Sequence, residues 1–489
     1  MPGITLLGLG PGNPRLLTGE AREVLESTPE IYLRTRQHPV VDALPSHVQL
    51  FSFDELYEQH ATFESLYSTI VEKVLELGRR PGGVVYAVPG HPFVAEATCP
   101  VICQRAEVEG LAIRVVEGLS FLEPTITLLR IDPFPHTALV DALELLAAHT
   151  PPFPPSVPAI VAQIHSRAVA AELKLTLMAV YPDAHPVRLV HSAGMPDAHI
   201  EDIPLFEIDR SQYIGLLTSL YLPPLNPALS FEAFQETVAR LRAPDGCPWD
   251  REQTHQSLRP YLLEEAYEAI AALDADDPVA MREEFGDLLL QIMLHAQIAS
   301  EYGEFNMADV LQGIHTKIVQ RHPHVFGDLD LKDVDGVLRN WERLKADERA
   351  ANGKRDTSLL DGVALVLPAL AQAGQYQSRA ARVGFDWTDL QGVIQKVIEE
   401  LNEVQSASTA QERDQELGDL LFAVVNLARW YDTDAETALR EANARFRARF
   451  IYMETTARVR GRSLSDLTMD ELDALWRIAK QAGGATPEA

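Results

Sequence analysis

The sequence predicts a multidomain chain: a bilobal α/β amino-terminal half followed by an all-α carboxy-terminal half in two related copies. Three observations carry this. Short β-rich apolar runs alternate with helical patterns up to about residue 225, the strand signal fades beyond Ser230, and a two-part acidic motif then occurs twice. The 489 residues suit two to four domains at roughly 100–200 residues each.

Taken in order, Ile4–Leu7, Val84–Val88, Ile113–Val116, Ala159–Ala162 and Val187–Val190 read as buried strands, and the helical patterns between them argue for an α/β layer architecture. The run Pro151-Pro152-Phe153-Pro154-Pro155 reads as a break between two lobes, because successive prolines continue neither helix nor ladder; the lobes are expected at about residues 1–122 and 123–225. A second break, Pro223-Pro224-Leu225-Asn226-Pro227, ends it. Phe231–Leu241, Leu258–Leu273 and Met281–Glu301 then carry apolar residues at helical spacing. Two helical domains are expected, at 228–350 and 358–482.

The composition, 46% hydrophobic and 23% charged, is that of a globular protein. With 71 acidic against 42 basic residues, the formal charge is -29. That charge repels phosphate backbones and disfavours a nucleic-acid surface, whereas acids can collect divalent cations. Cys99, Cys103 and Cys247 form neither a disulfide framework nor a four-ligand zinc site. No signal peptide is read at Met1, and no apolar stretch reaches the roughly 18 residues of a membrane span. The expectation is a soluble, cytoplasmic chain without membrane or nucleic-acid partners.

The strongest chemistry lies in the repeat. Glu264-Glu265-Ala266-Tyr267-Glu268 precedes Glu284-Phe285-Gly286-Asp287, and Glu399-Glu400-Leu401-Asn402-Glu403 precedes Glu416-Leu417-Gly418-Asp419. The offsets are 135 and 132 residues, which places a short indel in the intervening loop. On a helix, Glu264 and Glu268 stand one turn apart and Glu265 pairs with Glu268, so three carboxylates share a strip. Glu284 and Asp287 sit among Phe285, Leu288, Leu289 and Ile292, where a buried carboxylate is costly unless a cation or hydrogen bonds satisfy it. Asp419 has the same predicament. Antiparallel helices would join each set of five acids into an all-oxygen site of the kind Mg²⁺ or Mn²⁺ favours.

A single EExxE is most simply a solvated face; the matched pair favours metal. Lys317 with Arg321 and Arg445 with Arg449 are i, i+4 pairs. They are either surface ion-pair partners or cations for the phosphates of a nucleotide, and the acid motif tips the balance to the second. Trp249 and Trp387, ahead of the two acidic helices, read as core plugs, His322 and His324 as structural, and Cys99 and Cys103 as buried thiols.

These motifs resemble the MazG family of nucleoside triphosphate pyrophosphohydrolases, an all-α fold whose signature is EExxE followed by ExxD. The likeness covers most of residues 228–480 and includes Gly246-Cys247-Pro248-Trp249-Asp250, Arg321-His322-Pro323-His324-Val325-Phe326, Asn340-Trp341-Glu342 and Asn426-Leu427-Ala428-Arg429. The resemblance implies cleavage between the α and β phosphates, with Glu264, Glu265, Glu268, Glu399, Glu400 and Glu403 catalytic. It implies Mg²⁺ or Mn²⁺ on Glu265, Glu268, Glu284, Asp287, Glu400, Glu403, Glu416 and Asp419. Substrate phosphates would fall to Lys317, Arg321, Arg445 and Arg449, and a homodimer or higher homo-oligomer is expected.

In the amino-terminal half, Gly8-Leu9-Gly10-Pro11-Gly12-Asn13-Pro14 follows a strand, where glycines let backbone approach a ligand or simply make a tight turn. With Tyr86-Ala87-Val88-Pro89-Gly90-His91-Pro92 and Glu117-Gly118-Leu119-Ser120, the series resembles the tetrapyrrole methylase family, a bilobal fold that binds S-adenosylmethionine between lobes. Gly8, Gly10, Gly12, Gly90, Gly118 and Ser120 are the cofactor-binding positions so implied. His91 stands where such methylases usually have Asp. Two rival readings are a methyltransferase whose helical half only dimerises it, and a nonenzymatic sensor of nucleotide and small molecule.

Overall fold

The computed structural model describes residues 2–60, 62–331, 333, 334, 336, 337, 340, 341, 343, 344 and 358–481. Glu342, and residues 345–350 and 482 of the expected helical domains, lie outside the described residues. The chain divides into two compact units between Glu252 and Gln253.

The first unit contains two five-stranded sheets. One is wholly parallel, in the order β3-β2-β4-β1-β5, from β1 (Gly3–Gly8), β2 (Glu30–Leu33), β3 (Gln49–Ser52), β4 (Val84–Val88) and β5 (Ala112–Val116). Ile4 aligns with Val84 on one side and Ile113 on the other. Helices flank this sheet, so neighbouring residues Leu6 and Leu7 are both buried. The unbroken apolar run of β1 records that double-sided burial. The second sheet is mixed, in the order β6-β7-β10-β8-β9, from β6 (Ala138–Asp141), β7 (Ala159–Ala162), β8 (Pro186–His191), β9 (His199–Pro204) and β10 (Thr218–Leu222).

All five runs expected as strands are strands. The proline run is placed differently from the expectation. β6 precedes it and pairs in parallel with β7 beyond it, so Pro151–Pro155 is a connection inside the second sheet's lobe. The change of sheet comes earlier, between β5 and β6.

The mouth of the first sheet is pinned by a buried ion pair. Arg34, just past β2, meets Glu96, in the loop after β4, with side-chain exposures of 13% and 3%. The Arg34 guanidinium lies 4.7 Å from the Tyr67 ring centroid. Glu96 Oε1 accepts from the Thr98 backbone N–H at 2.9 Å and its hydroxyl at 2.6 Å, and Thr98 in turn meets the Tyr86 hydroxyl at 2.9 Å. Burial alone would lower the pKa of Arg34; the charge of Glu96 beside it reverses this and holds it above its ordinary value.

The second unit is helical throughout its described residues: α1 (His255–Asp274), α2 (Pro278–Glu301), α3 (Met307–Arg321), α4 (Ala369–Arg382), α5 (Leu390–Ser406), α6 (Ala410–Trp430), α7 (Ala435–Val459) and α8 (Met469–Gln481), with a short turn of helix at Pro323–Phe326. Thr254 caps α1 in a capping box with Ser257, and Asp277 caps α2 ahead of Pro278. Asp389 caps α5, and Thr409 with Glu412 caps α6. Three-residue connections, 275–277 and 407–409, turn α2 and α6 back along α1 and α5 as two antiparallel hairpins. Among the described residues no helix is long and apolar enough to cross a membrane.

Removing one partner of the buried pair strands a charge. Glu96→Ala should therefore lower the unfolding free energy of the first unit by about 3–5 kcal/mol in a denaturant titration. A loss below about 1 kcal/mol, the size typical of exposed ion pairs, would contradict the pinning role.

Candidate functional site

Each hairpin gathers three carboxylates between its two helices. In the first, Glu265 and Glu268 of α1 meet Glu284 of α2, with donor atoms all within 4.8 Å of one another. In the second, Glu400 of α5 meets Glu416 and Asp419 of α6 within the same 4.8 Å. The caps set this geometry, because Glu284 and Glu416 each lie six residues after the start of their helix.

The first helices of the two hairpins differ in length. α1 runs nine residues past Glu265, whereas α5 runs only six past Glu400. The expected loop indel is thus a three-residue difference in helix length, since both connections have three residues. It explains why the first triplet draws two acids from its first helix and the second draws one. Asp287 bears electrostatically on Glu265 and Glu284, and Glu403 feels Glu400 and Glu416, so both lie near their triplets. Glu264 and Glu399 are exposed at the edge.

Burial of these acids is more modest than the apolar background suggests. Glu400 is buried, Glu265, Glu284, Asp287 and Glu416 are half-buried, and Glu268, Glu403 and Asp419 are exposed. The reason is that Phe285, Leu289 and Ile292 on α2, and Leu417, Leu421 and Phe422 on α6, face outward in the single chain. Partial desolvation, then the charges of neighbouring carboxylates, raise the pKa values of Glu265, Glu284 and Glu403. Carboxylates held together with raised proton affinity are a donor set that a divalent cation fits.

The second hairpin holds a cation that sequence reasoning missed. Lys396 Nζ reaches Glu399 at 2.8 Å and the buried Glu400 at 2.6 Å. Donating to the Glu399 and Glu400 carboxylates raises its pKa above the ordinary lysine value. The signal was present as i, i+3 and i, i+4 spacing; the matching position in the first hairpin is Tyr261.

The paired cations separate. Lys317 is exposed and Arg321 half-buried on α3, and the charges that bear on Glu265 and Glu284 are those of other carboxylates. Arg445 makes an exposed ion pair with Glu441 at 3.1 Å. Arg449 lies over the Trp476 ring, 5.7 Å from its centroid, and Trp476 also meets Phe446. Trp249 and Trp387 are exposed, 54% and 42%, and are not the core plugs expected. Asp386, next to Trp387 in the chain, accepts from Arg429 Nη2 at 2.7 Å and Trp430 Nε1 at 3.1 Å. His322 Nδ1 meets Ile318 O at 2.7 Å, which is a structural contact. Cys99 is buried, with its thiol pKa pushed up by burial, and Cys103 is half-buried.

In the first unit, Gly8, Gly90 and Gly118 pack backbone against backbone. A Cβ on Gly8 would fall 2.5 Å from Gly118 N and 2.8 Å from Gly90 O. Gly10 and Gly90 exchange backbone hydrogen bonds at 3.1 and 2.8 Å, and φ is +69° at Gly10 and +123° at Gly12. Ser120 is buried, with its N–H and hydroxyl donating to Glu123 at 2.7 and 2.6 Å. The lobes meet here: Asn13 Nδ2 donates to Gly194 O at 3.0 Å. Sequence reasoning missed His38, which is buried against the Gly10 backbone with Nδ1 unpartnered among the described residues and its pKa pushed down to about 4 by burial. His91 Nδ1 accepts from the Phe93 N–H at 3.0 Å.

Comparison with known proteins places both halves. The MazG nucleotide pyrophosphohydrolase domain family matches residues 253–326, and the tetrapyrrole (corrin/porphyrin) methylase family matches residues 3–209. A Bacillus subtilis protein, described as uncharacterized protein YabN, is 42% identical over 493 residues, covering 98% of each chain. The Thermotoga maritima nucleoside triphosphate pyrophosphohydrolase/pyrophosphatase MazG is 44% identical over 250 residues, covering 51% of this chain and 95% of its own. The Escherichia coli nucleoside triphosphate pyrophosphohydrolase is 43% identical over 250 residues, covering 50% and 94%.

The raised carboxylate pKa values give a sign. A folded-state pKa above the unfolded value disfavours the fold once the group ionises, and protonation relieves this as pH falls through the raised value. In EDTA at pH 7, Glu284→Gln should therefore raise the melting temperature, and the gain should shrink towards pH 4.5, near the model-compound carboxylate range of about 4 to 4.5. A lower melting temperature for the variant in EDTA would contradict the crowding described.

Proposed function

Because the chain belongs to the MazG nucleotide pyrophosphohydrolase family and carries a tetrapyrrole-methylase-type domain at its amino end, we propose that it hydrolyses nucleoside triphosphates to monophosphate and pyrophosphate, using Mg²⁺ or Mn²⁺. The observation that carries this reading is the pair of all-carboxylate triplets, each with donor atoms within 4.8 Å on two adjacent helices. A bound ion would supply positive charge for the phosphate oxygens and acidify a water. Glu265, Glu268 and Glu284, with Asp287 beside them, would hold it in the first hairpin. Glu400, Glu416 and Asp419 would do so in the second.

The surrounding residues divide the remaining work. Glu264, exposed next to Glu265 on α1, would accept a proton from the attacking water. In the second hairpin Glu399 is engaged by Lys396, which leaves Glu403, with its raised pKa, as the carboxylate better matched to that task. Lys396 and Arg449 would meet the triphosphate, with Lys317, Arg321 and Arg445 in supporting positions. The two hairpins would be copies of one unit, in helical domains at 228–350 and 358–482 that follow the methylase-type domain at 1–225. The outward apolar residues of α2 and α6 favour a homodimer or higher homo-oligomer. The glycine cluster with Ser120 would take S-adenosylmethionine, and the acidic chain would work in the cytoplasm.

Incubation with a nucleoside triphosphate and Mg²⁺ should release monophosphate and pyrophosphate; diphosphate and orthophosphate would overturn the reaction. Glu268→Gln combined with Glu400→Gln should lower turnover by at least about 10- to 100-fold, the range for groups that only orient metal ligands. Unchanged turnover in that double variant would remove the triplets from catalysis.

A further inference from the structure

A cavity of about 600 Å³ opens between α4, the end of α6 and the start of α7, and no acid of either triplet lines it. On α6 its Arg429 lies ten residues beyond Asp419, about 15 Å along the axis at 1.5 Å per residue. The lining is basic where the triplets are acidic: Arg379 and Arg382 come from α4 and Arg429 from α6, with the hydroxyl of Ser378 and the indole of Trp341 among them.

Two of these guanidiniums are held in place by other bonds and keep donors to spare. Arg379 gives Nη1 to Leu359 O at 2.9 Å, which leaves Nε and Nη2. Arg429 gives Nε to Asn426 at 3.0 Å and Nη2 to Asn426 and Asp386, each at 2.7 Å, which leaves Nη1. Preorganised guanidiniums with unspent N–H groups are the donors that phosphate oxygens match best. Asp434 also lines the space, but its carboxylate is the N-cap of α7, accepting from Thr437 N at 2.8 Å. Asp432 is an acceptor at the rim.

The size and chemistry select the ligand. Inorganic phosphate is far smaller than a space that falls within the roughly 300–1,000 Å³ of small-molecule sites. An aromatic wall, an acceptor for sugar hydroxyls and three arginines together suit a nucleotide. We propose that this cavity is a second nucleotide site, with the phosphates on Arg379, Arg382 and Arg429 and the base against Trp341. It needs no metal and does not rest on the catalytic reading of the triplets.

The test is calorimetric titration of the full chain with ADP in EDTA, which denies the acid triplets their ion. ADP should bind, and Arg379→Gln with Arg382→Gln should weaken it at least about tenfold, as expected when charge-assisted hydrogen bonds are lost. Lys396→Ala should leave that binding unchanged, and the double arginine variant should retain Mg²⁺-dependent hydrolysis. Trp341→Phe should abolish an ADP-dependent change in tryptophan fluorescence. No binding at millimolar ADP, binding indifferent to the double variant, loss in Lys396→Ala instead, or pyrophosphate binding as tightly as ADP would each overturn the proposal.

Discussion

Three carboxylates with donor atoms inside 4.8 Å repel one another, and the second unit is organised around that repulsion. Helix caps and three-residue turns bring the acids together, and the pKa values of Glu265 and Glu284 are raised by partial desolvation and then by the neighbouring carboxylates. A surface cluster of acids would spread apart in water. These are held on two helices packed side by side, where a bound cation would relieve the repulsion.

The hairpins meet this constraint differently. In the second, Lys396 already bridges Glu399 and the buried Glu400, so part of the charge is balanced from within the chain. In the first, Tyr261 occupies the corresponding position and the neighbours of Glu265 and Glu284 are further carboxylates. The three-residue shortening of α5 adds to the contrast, because it moves Glu403 out of the triplet and brings Asp419 in. The same sequence pattern therefore yields two electrostatic environments.

How legible this was depended on what each residue's pattern reports. Strands buried on both faces, such as β1 and β7, announce themselves as continuous apolar runs. β3 and β9, at the edges of their sheets, are partly exposed and carry mixed sequences, so they were not anticipated. The acids of the site were legible because i, i+3 and i, i+4 spacing is a statement about one helix face. Lys396 followed the same rule and was passed over, since a single lysine among glutamates looks like an ordinary surface pair. The proline run misled because proline forbids a ladder locally but says nothing about which sheet the next strand joins. The burial of the acids was overestimated for a similar reason: an apolar helix face shows that something covers it, and Phe285, Ile292, Leu421 and Phe422 remain exposed within one chain. In the first unit, Gly8, Gly90 and Gly118 make room for one another's backbones, a contact that a glycine pattern in sequence does not distinguish from room for a ligand.

The cation binding proposed at each triplet can be measured directly. Titration with Mn²⁺, following the paramagnetic resonance signal of the free ion, tests it without reference to turnover. The wild-type chain should take up ions at both hairpins, Glu284→Gln should remove one class of sites and Glu416→Gln the other, and the double variant should leave the ion free. Equal Mn²⁺ uptake by the double variant and the wild type would contradict it.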